Sequence, residues 1–92
     1  MDVYAQIVVK IIESQEAIIG PVAIEQAERV AGLKVEWDKH QVSLSGNEAG
    51  VIDQLVDIYK ELFGQISVEV SKEAAASLVG QLPPEGLPEA LK

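Results

Sequence analysis

An amphipathic pattern occurs twice in this chain, 44 residues apart, and this echo constrains the fold more than any other feature of the sequence. Each copy has a helical apolar pattern, then a glycine (Gly20 or Gly64), then a second apolar segment. Between residues 7–31 and 51–75, however, only three of 25 aligned pairs are identical. Two helices in phase share apolar positions in any case. We therefore predict two helix–Gly–helix units, with duplication as a hypothesis about their origin.

The first unit contains two predicted helices. Apolar residues recur at helical spacing over residues 3–19. Gly20 can end this helix and Pro21 can begin the next, which we expect to run to Ala31. Residues 3–12 also alternate in the manner of a strand and are rich in β-branched side chains, so a strand is an alternative there.

A β-hairpin is predicted between the two units. Residues 33–45 alternate between apolar and polar side chains on both sides of a central turn. A turn after Trp37 would place Trp37 opposite Val42 and Val35 opposite Leu44, with all apolar side chains on one face. Because two strands alone are marginal in water, we expect two copies of the chain to pair their hairpins in a homodimer.

The second unit begins with the strongest helical pattern of the chain. Ser45, or Asn47 one register later, can cap a helix that runs to Phe63. The repeat then predicts a helix over residues 65–75, although residues 66–70 alternate like a strand. Residues 72–79 also have a helical pattern, so we favour one helix over residues 65–79. If residues 66–70 and the start of the chain were both strands, the order would be β-α-β-β-α-β, the ferredoxin-like arrangement. We predict an α+β fold with two helix–Gly–helix units around the hairpin.

The chain divides into one small domain, residues 1–81, and a proline-rich tail, residues 82–92. Prolines exclude a regular helix or a central strand in the tail. Its side chains suit a segment that docks on its own domain or on another protein, with a frayed terminus as the alternative. The candidate interaction residues of the tail are Leu82, Pro83, Pro84 and Leu87.

The charge balance narrows the classes of partner. The chain has 15 acids and 7 scattered bases, a net charge of −8, and no cysteine. Such a surface repels nucleic-acid phosphates and anionic lipids. Without cysteine, the chain cannot form disulfides, thiolate metal sites or cysteine nucleophiles. The first residues do not resemble a signal peptide, and no apolar run approaches the roughly 18 residues of a membrane span, so we predict a cytoplasmic protein.

The candidate metal ligands are three carboxylates, Asp53, Asp57 and Glu61, which lie at i, i+4 and i+8 on one helix face. Carboxylates so placed can hold a hard divalent cation, but a solvated helix face explains them as well. His40 lies in the predicted turn among charged residues and has no evident orienting partner. Nucleophile-elbow and phosphate-binding glycine motifs are absent. We therefore predict no enzyme, no catalytic residue and no cofactor.

The order helix–strand–strand–helix over residues 24–62 resembles the KH family of nucleic-acid-binding domains. The Gly-x-x-Gly loop with which that family clamps phosphates is absent here. A KH-like nucleic-acid binder and a small ligand- or metal-binding protein therefore stand as alternative functions.

A protein-interaction role fits the apolar content best. In a chain of 92 residues, 48% of them hydrophobic, we expect more apolar surface than a small monomer can hide. Trp37 is either a core residue of the hairpin or an interface anchor, since tryptophan is enriched at binding hot spots. We predict a non-enzymatic, self-associating protein-interaction or regulatory module whose partner is itself, another protein, or both.

Overall fold

The computed structural model describes residues 2–92, which form four α-helices and one β-hairpin. The helices and strands are α1 (Val3–Ile19), α2 (Val22–Ala27), β1 (Leu33–Glu36), β2 (Gln41–Leu44), α3 (Glu48–Phe63) and α4 (Gln65–Val79). Single turns of 3-10 helix occur at Trp37–Lys39, Pro84–Gly86 and Glu89–Leu91. The chain is α+β, as predicted.

The ferredoxin-like alternative is wrong, because the two segments that could have been strands lie within α1 and α4. A strand at the start of the chain would have placed Ile7 and Ile11 on one face and Val8 and Ile12 on the other. The helix buries all four side chains on one broad face. Burial of both sets favours the helix over the local β-branched preference.

The hairpin is antiparallel, but its predicted register is wrong by two residues. Val35 pairs with Val42 rather than with Leu44. Trp37 has left the strand and begins a 3-10 turn, which closes when the N–H of His40 donates to the carbonyl of Trp37 at 3.0 Å. A shift of two keeps the same side chains on the same face, because side chains alternate with period two. Pairing of two hairpins across a dimer stays a prediction.

The structure decides two helix boundaries that the sequence left open or placed differently. Asn47, not Ser45, caps α3: its side-chain oxygen accepts a hydrogen bond from the N–H of Gly50 at 3.1 Å. Helix α2 ends at Ala27, earlier than the predicted Ala31, and the chain continues through turns to β1. The remaining predicted helices, over residues 3–19, up to Phe63 and over 65–79, are confirmed.

Helices α1 and α4 pack against each other in antiparallel directions. Gln15 near the end of α1 contacts Ser67 at the beginning of α4, whereas Tyr4 at the beginning of α1 contacts Gly86 beyond the end of α4. Helix α3 packs on α2 and α4, and β2 packs on α1. The largest fully buried apolar and aromatic side chains, from α1 and α3, are Ile7, Val8, Ile11, Ile12, Ile52, Leu55, Val56 and Tyr59.

The tail is ordered and docks on its own domain, so the frayed alternative is wrong. Pro88 and Leu91 are buried, and the last 3-10 turn contacts α3 and α4. The hydroxyl of Tyr4 donates to the carbonyl of Gly86 at 2.7 Å. At the far end, the N–H of Ala90 donates to a carboxylate oxygen of α3 at 2.8 Å. The tail thus covers the side of the domain formed by α3 and α4.

Candidate interaction surface

The two glycine junctions have the same backbone geometry. Gly20 (φ 76°, ψ −158°) separates α1 from α2, and Gly64 (φ 82°, ψ −173°) separates α3 from α4. These angles lie in a region that is essentially restricted to glycine. Each glycine donates its N–H to the carbonyl four residues earlier, at 2.9 and 2.8 Å. Each also accepts from the N–H three residues later, of Ala23 or Ser67, at 3.1 Å in both cases.

Two buried hydrogen bonds join the units across these junctions. The Gln15 side-chain amide (Nε2) donates to the carbonyl of Ser67 at 3.0 Å. The hydroxyl of Tyr59 donates to the carbonyl of Ala23 at 2.6 Å. The two donors, Gln15 and Tyr59, are 44 residues apart in the sequence, and so are the two acceptors, Ala23 and Ser67. The two bonds therefore occupy equivalent positions in the two units. Together they hold both glycine junctions at the same end of the domain.

Four large apolar side chains are exposed beside the junctions. Their exposed fractions are 64% for Ile18, 39% for Val22, 53% for Leu62 and 72% for Ile66. Each lies two residues from its glycine, and the offset of 44 relates Ile18 to Leu62 and Val22 to Ile66. We call the surface of these four residues the apolar end. Single exposed apolar side chains are ordinary, but here four of them lie together at one end of the domain.

Ile18 and Leu62 belong to the apolar patterns of α1 and α3, and the helical spacing of those patterns places them on core faces, but both side chains are exposed. Each is followed by a second large apolar residue, Ile19 or Phe63, which is half-buried and packs against the core. Neighbouring helical residues point about 100° apart, and at these two helix ends only the second member of each pair packs against the core. The sequence feature that could have indicated this exposure is the adjacent pair of large apolar residues just before each glycine.

A shallow groove runs from Ile18 between α1 and α4, and we call it the α1–α4 groove. It is open to solvent and has a volume of about 430 Å³. Small side chains dominate its walls, which is why the two helices leave a depression rather than a ridge. The lining residues are Ser14, Ala17, Ile18, Val70, Glu73 and Ala74.

One carboxylate of α4 lines this groove, and a second lies beside the first. Glu73 belongs to the lining, Glu69 lies one helical turn before it, and both are exposed. The side-chain amide of Gln65 donates to Glu69 at 3.2 Å. Among residues 2–92, neither carboxylate forms an ion pair with a lysine or arginine. Their negative charge is therefore available to a partner.

The three predicted metal ligands on α3 are not assembled into a metal site. Asp53 Oδ1 accepts the hydrogen bond from the N–H of Ala90 and so anchors the tail. Asp57 and Glu61 are exposed. Within the described part of the chain, no group of three or more histidine, aspartate and glutamate side chains is placed to hold a metal ion. The tail contact of Asp53 could not be read from helical spacing, because its partner is 37 residues away.

Trp37 and His40 are fastened to α1. Trp37 is half-buried, and its indole N–H donates to Glu16 at 3.3 Å. His40 contacts Glu13 through Nδ1 at 3.0 Å and stacks on the Trp37 ring at a centroid distance of 4.2 Å. These contacts explain why Trp37 leaves the strand. They join the hairpin tip to the middle of α1, and a role of Trp37 in partner binding stays a prediction.

The tail residues predicted to contact a partner differ in accessibility. Leu82 is half-buried and packs against the core, and Leu87 is half-buried as well. Pro83 and Pro84 are exposed. The apolar end therefore exposes more of its large aliphatic side chains than the tail does.

Comparison with protein-family models, curated proteins and solved structures finds no match for this chain. Across residues 2–92, none of the helices is both long enough and apolar enough to cross a lipid bilayer.

Proposed function

We propose that this chain is a non-enzymatic protein-interaction module that self-associates through its apolar end. The observation that carries the proposal is the position of Ile18, Val22, Leu62 and Ile66 around two junctions held at one end of the domain. Removing a large aliphatic side chain from water is favourable by about 1.5–3 kcal/mol. In a monomer the exposed part of each side chain, from 39% for Val22 to 72% for Ile66, leaves a corresponding part of this stabilisation unused, and an interface can recover it.

The apolar end is also well organised for binding. The junction glycines are fixed by backbone hydrogen bonds, and the side chains of Gln15 and Tyr59 hold the elements behind them. A surface that is already ordered loses little conformational entropy on association. Rigid apolar side chains on an ordered support are characteristic of interface anchors.

We further propose that the two helix–Gly–helix units are structural copies. Equivalent junction angles, equivalent cross-unit hydrogen bonds and equivalent exposed side chains support this view. The apolar end then has approximate two-fold symmetry. Such a surface suits a symmetric partner, and a second copy of the chain is the simplest one.

The test is the oligomeric state at micromolar concentration, measured by sedimentation velocity. We expect a dimer for the unmodified chain and a monomer for the double variant Val22→Lys/Leu62→Lys, because lysine at the interface would place charge in an apolar contact. Gln54→Lys, at an exposed position on α3, is the control and should remain dimeric. Recovery of the unmodified chain as a monomer would refute self-association.

A second arm tests the broader interaction role. The tagged chain is purified at low abundance from its native cell, in parallel with the double variant and the Gln54→Lys control. A stoichiometric protein retained by the control but lost from the double variant would support the module. If the unmodified chain is monomeric and is recovered alone, the proposed function is wrong.

A further inference from the structure

We propose that the α1–α4 groove is the docking site for an amphipathic helix of another protein, one whose apolar stripe is flanked by lysine or arginine. The inference rests on the proposed role as a protein-interaction module, but it concerns a surface separate from Val22 and Leu62. It names the chemistry of the partner: a helix with small or medium aliphatic side chains on one face and positive charge beside them.

The shape of the groove favours a helix. Its walls are two antiparallel helices whose facing side chains include Ser14, Ala17 and Ala74. Small residues on both walls leave room for the side chains of a third helix to insert, as ridges pack into grooves in helix pairs. Val70 and Ile18 are the large apolar residues of the lining. An extended peptide could not add a strand here, because all the lining residues belong to α1 or α4.

The charge around the groove selects a basic partner. Glu69 and Glu73 lie one turn apart on the α4 side and form no ion pair with a lysine or arginine in the described chain. Lys10 lies one turn before Ser14 on α1, away from the apolar end, and Lys72 is next to Glu73 in the sequence but outside the groove lining. A docked helix is therefore expected to place its basic residues beside α4, toward the apolar end.

A second copy of this chain does not supply such a helix. The net charge of each copy is −8, and the exposed charged residues of α3 close to the apolar end are two acids, Asp57 and Glu61, and one base, Lys60. Inserting this part of α3 into the groove would oppose Glu69 and Glu73 with a net like charge. The groove and the apolar end therefore have different expected occupants.

The experiment is a selection of helical peptides against the intact chain. A display library of 18-residue helical peptides, randomised on one apolar face and its flanks, is selected on the unmodified protein. We expect enrichment of sequences with lysine or arginine flanking an aliphatic stripe. Enrichment of acidic or uncharged flanks, or no enrichment at all, would overturn the inference.

Variants then locate the binding of the strongest selected peptide. Ala74→Arg, which fills the groove, should weaken its Kd at least tenfold, whereas Ala76→Arg, an exposed alanine of the same helix outside the lining, should change it less than twofold. Glu73→Arg should weaken the Kd several-fold, and Glu85→Arg, with the same change in net charge, should have a much smaller effect. Circular dichroism verifies that each variant is folded.

The outcomes separate this inference from the proposed function. Equal affinity of the peptide for the unmodified chain and the folded Ala74→Arg variant would refute the groove as the docking site. In that case a dimer that is lost in Val22→Lys/Leu62→Lys would leave the apolar end proposal intact. Conversely, a monomeric chain that binds basic helices in an Ala74-dependent manner would refute self-association and support the groove.

Discussion

Gln15 and Tyr59 lie 44 residues apart, and each uses its side chain to hold the backbone of the other unit. The amide of Gln15 donates to the Ser67 carbonyl, and the phenol of Tyr59 donates to the Ala23 carbonyl. Gln15 is 1% exposed and Tyr59 is fully buried. A buried polar group is costly unless it is hydrogen-bonded, and both side chains meet this requirement. Equivalent positions of the two units thus make the same kind of contact, once with an amide and once with a phenol.

We expect Gln15→Leu to destabilise the domain by about 1 kcal/mol, because the Ser67 carbonyl would lose one of its two side-chain donors and keep only the Ser71 hydroxyl, at 2.8 Å. The Ser71 hydroxyl would also lose its contact with the Gln15 amide, which is 3.2 Å long. Urea unfolding followed by circular dichroism measures the change. Gln54→Leu, at an exposed position, should shift stability by less than about 0.5 kcal/mol. Equal stability of the two variants would contradict the role assigned to Gln15.

Tyr59 should make the domain sensitive to alkali. Burial raises the pKa of Tyr59 in the folded chain above its ordinary value. The stability contributed by the protonated phenol is therefore fully present below about pH 10, the unfolded pKa, and decreases as the pH rises above it toward the folded pKa. Tyr59→Phe cannot ionise, so the stability difference between the unmodified chain and this variant should shrink between pH 9 and about pH 11.

The measurement is the urea midpoint of both proteins at several pH values. At pH 7 we expect Tyr59→Phe to be less stable by roughly 1 kcal/mol, because the Ala23 carbonyl loses its donor. Comparison of the two proteins cancels the titration of lysines, which they share. A difference that does not vary with pH would show that the phenol remains protonated or accessible in both states.

Asp53 should matter for the tail and not for metal binding. Asp53→Ala removes the acceptor for the Ala90 N–H and should destabilise the domain by roughly 1 kcal/mol, since the contact is only part-buried. Asp57→Ala, at an exposed position on the same helix face, is the matched control and should have little effect. The comparison is completed by thermal unfolding with and without Mg²⁺. A concentration of about 5 mM is sufficient to occupy even a weak site. A Mg²⁺-dependent rise that both substitutions abolish would restore the metal hypothesis.

The junction at Gly64 should not tolerate a side chain. Alanine there would meet no neighbouring atom within 4 Å, so the cost is purely conformational. With φ 82° and ψ −173°, we expect Gly64→Ala to cost about 1–3 kcal/mol. Gly80→Ala is the control, since Gly80 has φ −64° and open space, and it should be neutral or stabilising. Equal midpoints in urea would contradict the constraint at the junction.

Salt should act in opposite directions on the two proposed interfaces. A dimer between two chains of charge −8 should tighten as salt is added, because screening weakens their repulsion. Binding of a basic helix beside Glu69 and Glu73 should weaken under the same conditions. Dissociation constants at about 50 and 500 mM NaCl, spanning Debye lengths from above 10 Å to below 8 Å, provide the test. Parallel changes would mean that one of the two partners is misassigned.

Local patterns in the sequence were sufficient for most of the secondary structure. The helical spacing before each glycine, the glycines themselves and the alternation over residues 33–45 predicted α1, α3, α4 and the hairpin. These signals are local, because apolar periodicity and backbone preference act over a few residues. The predicted register of the hairpin was wrong, because contacts of Trp37 and His40 with α1 set the turn. The α1 residues in these contacts are 21 and 27 positions away in the sequence.

Only the tertiary structure decided which apolar residues are exposed and how the two units meet. Composition predicted an excess of apolar surface, and the candidate interaction residues chosen from the sequence were Trp37 and those of the tail. In the structure, the most exposed large apolar side chains are those of Ile18 and Ile66. Exposure at a helix end depends on where the neighbouring helices stop, and the cross-unit bonds join residues that are 36 and 52 positions apart. The repeated pattern was determined by the sequence alone; the placement of both junctions at one end came from long-range packing.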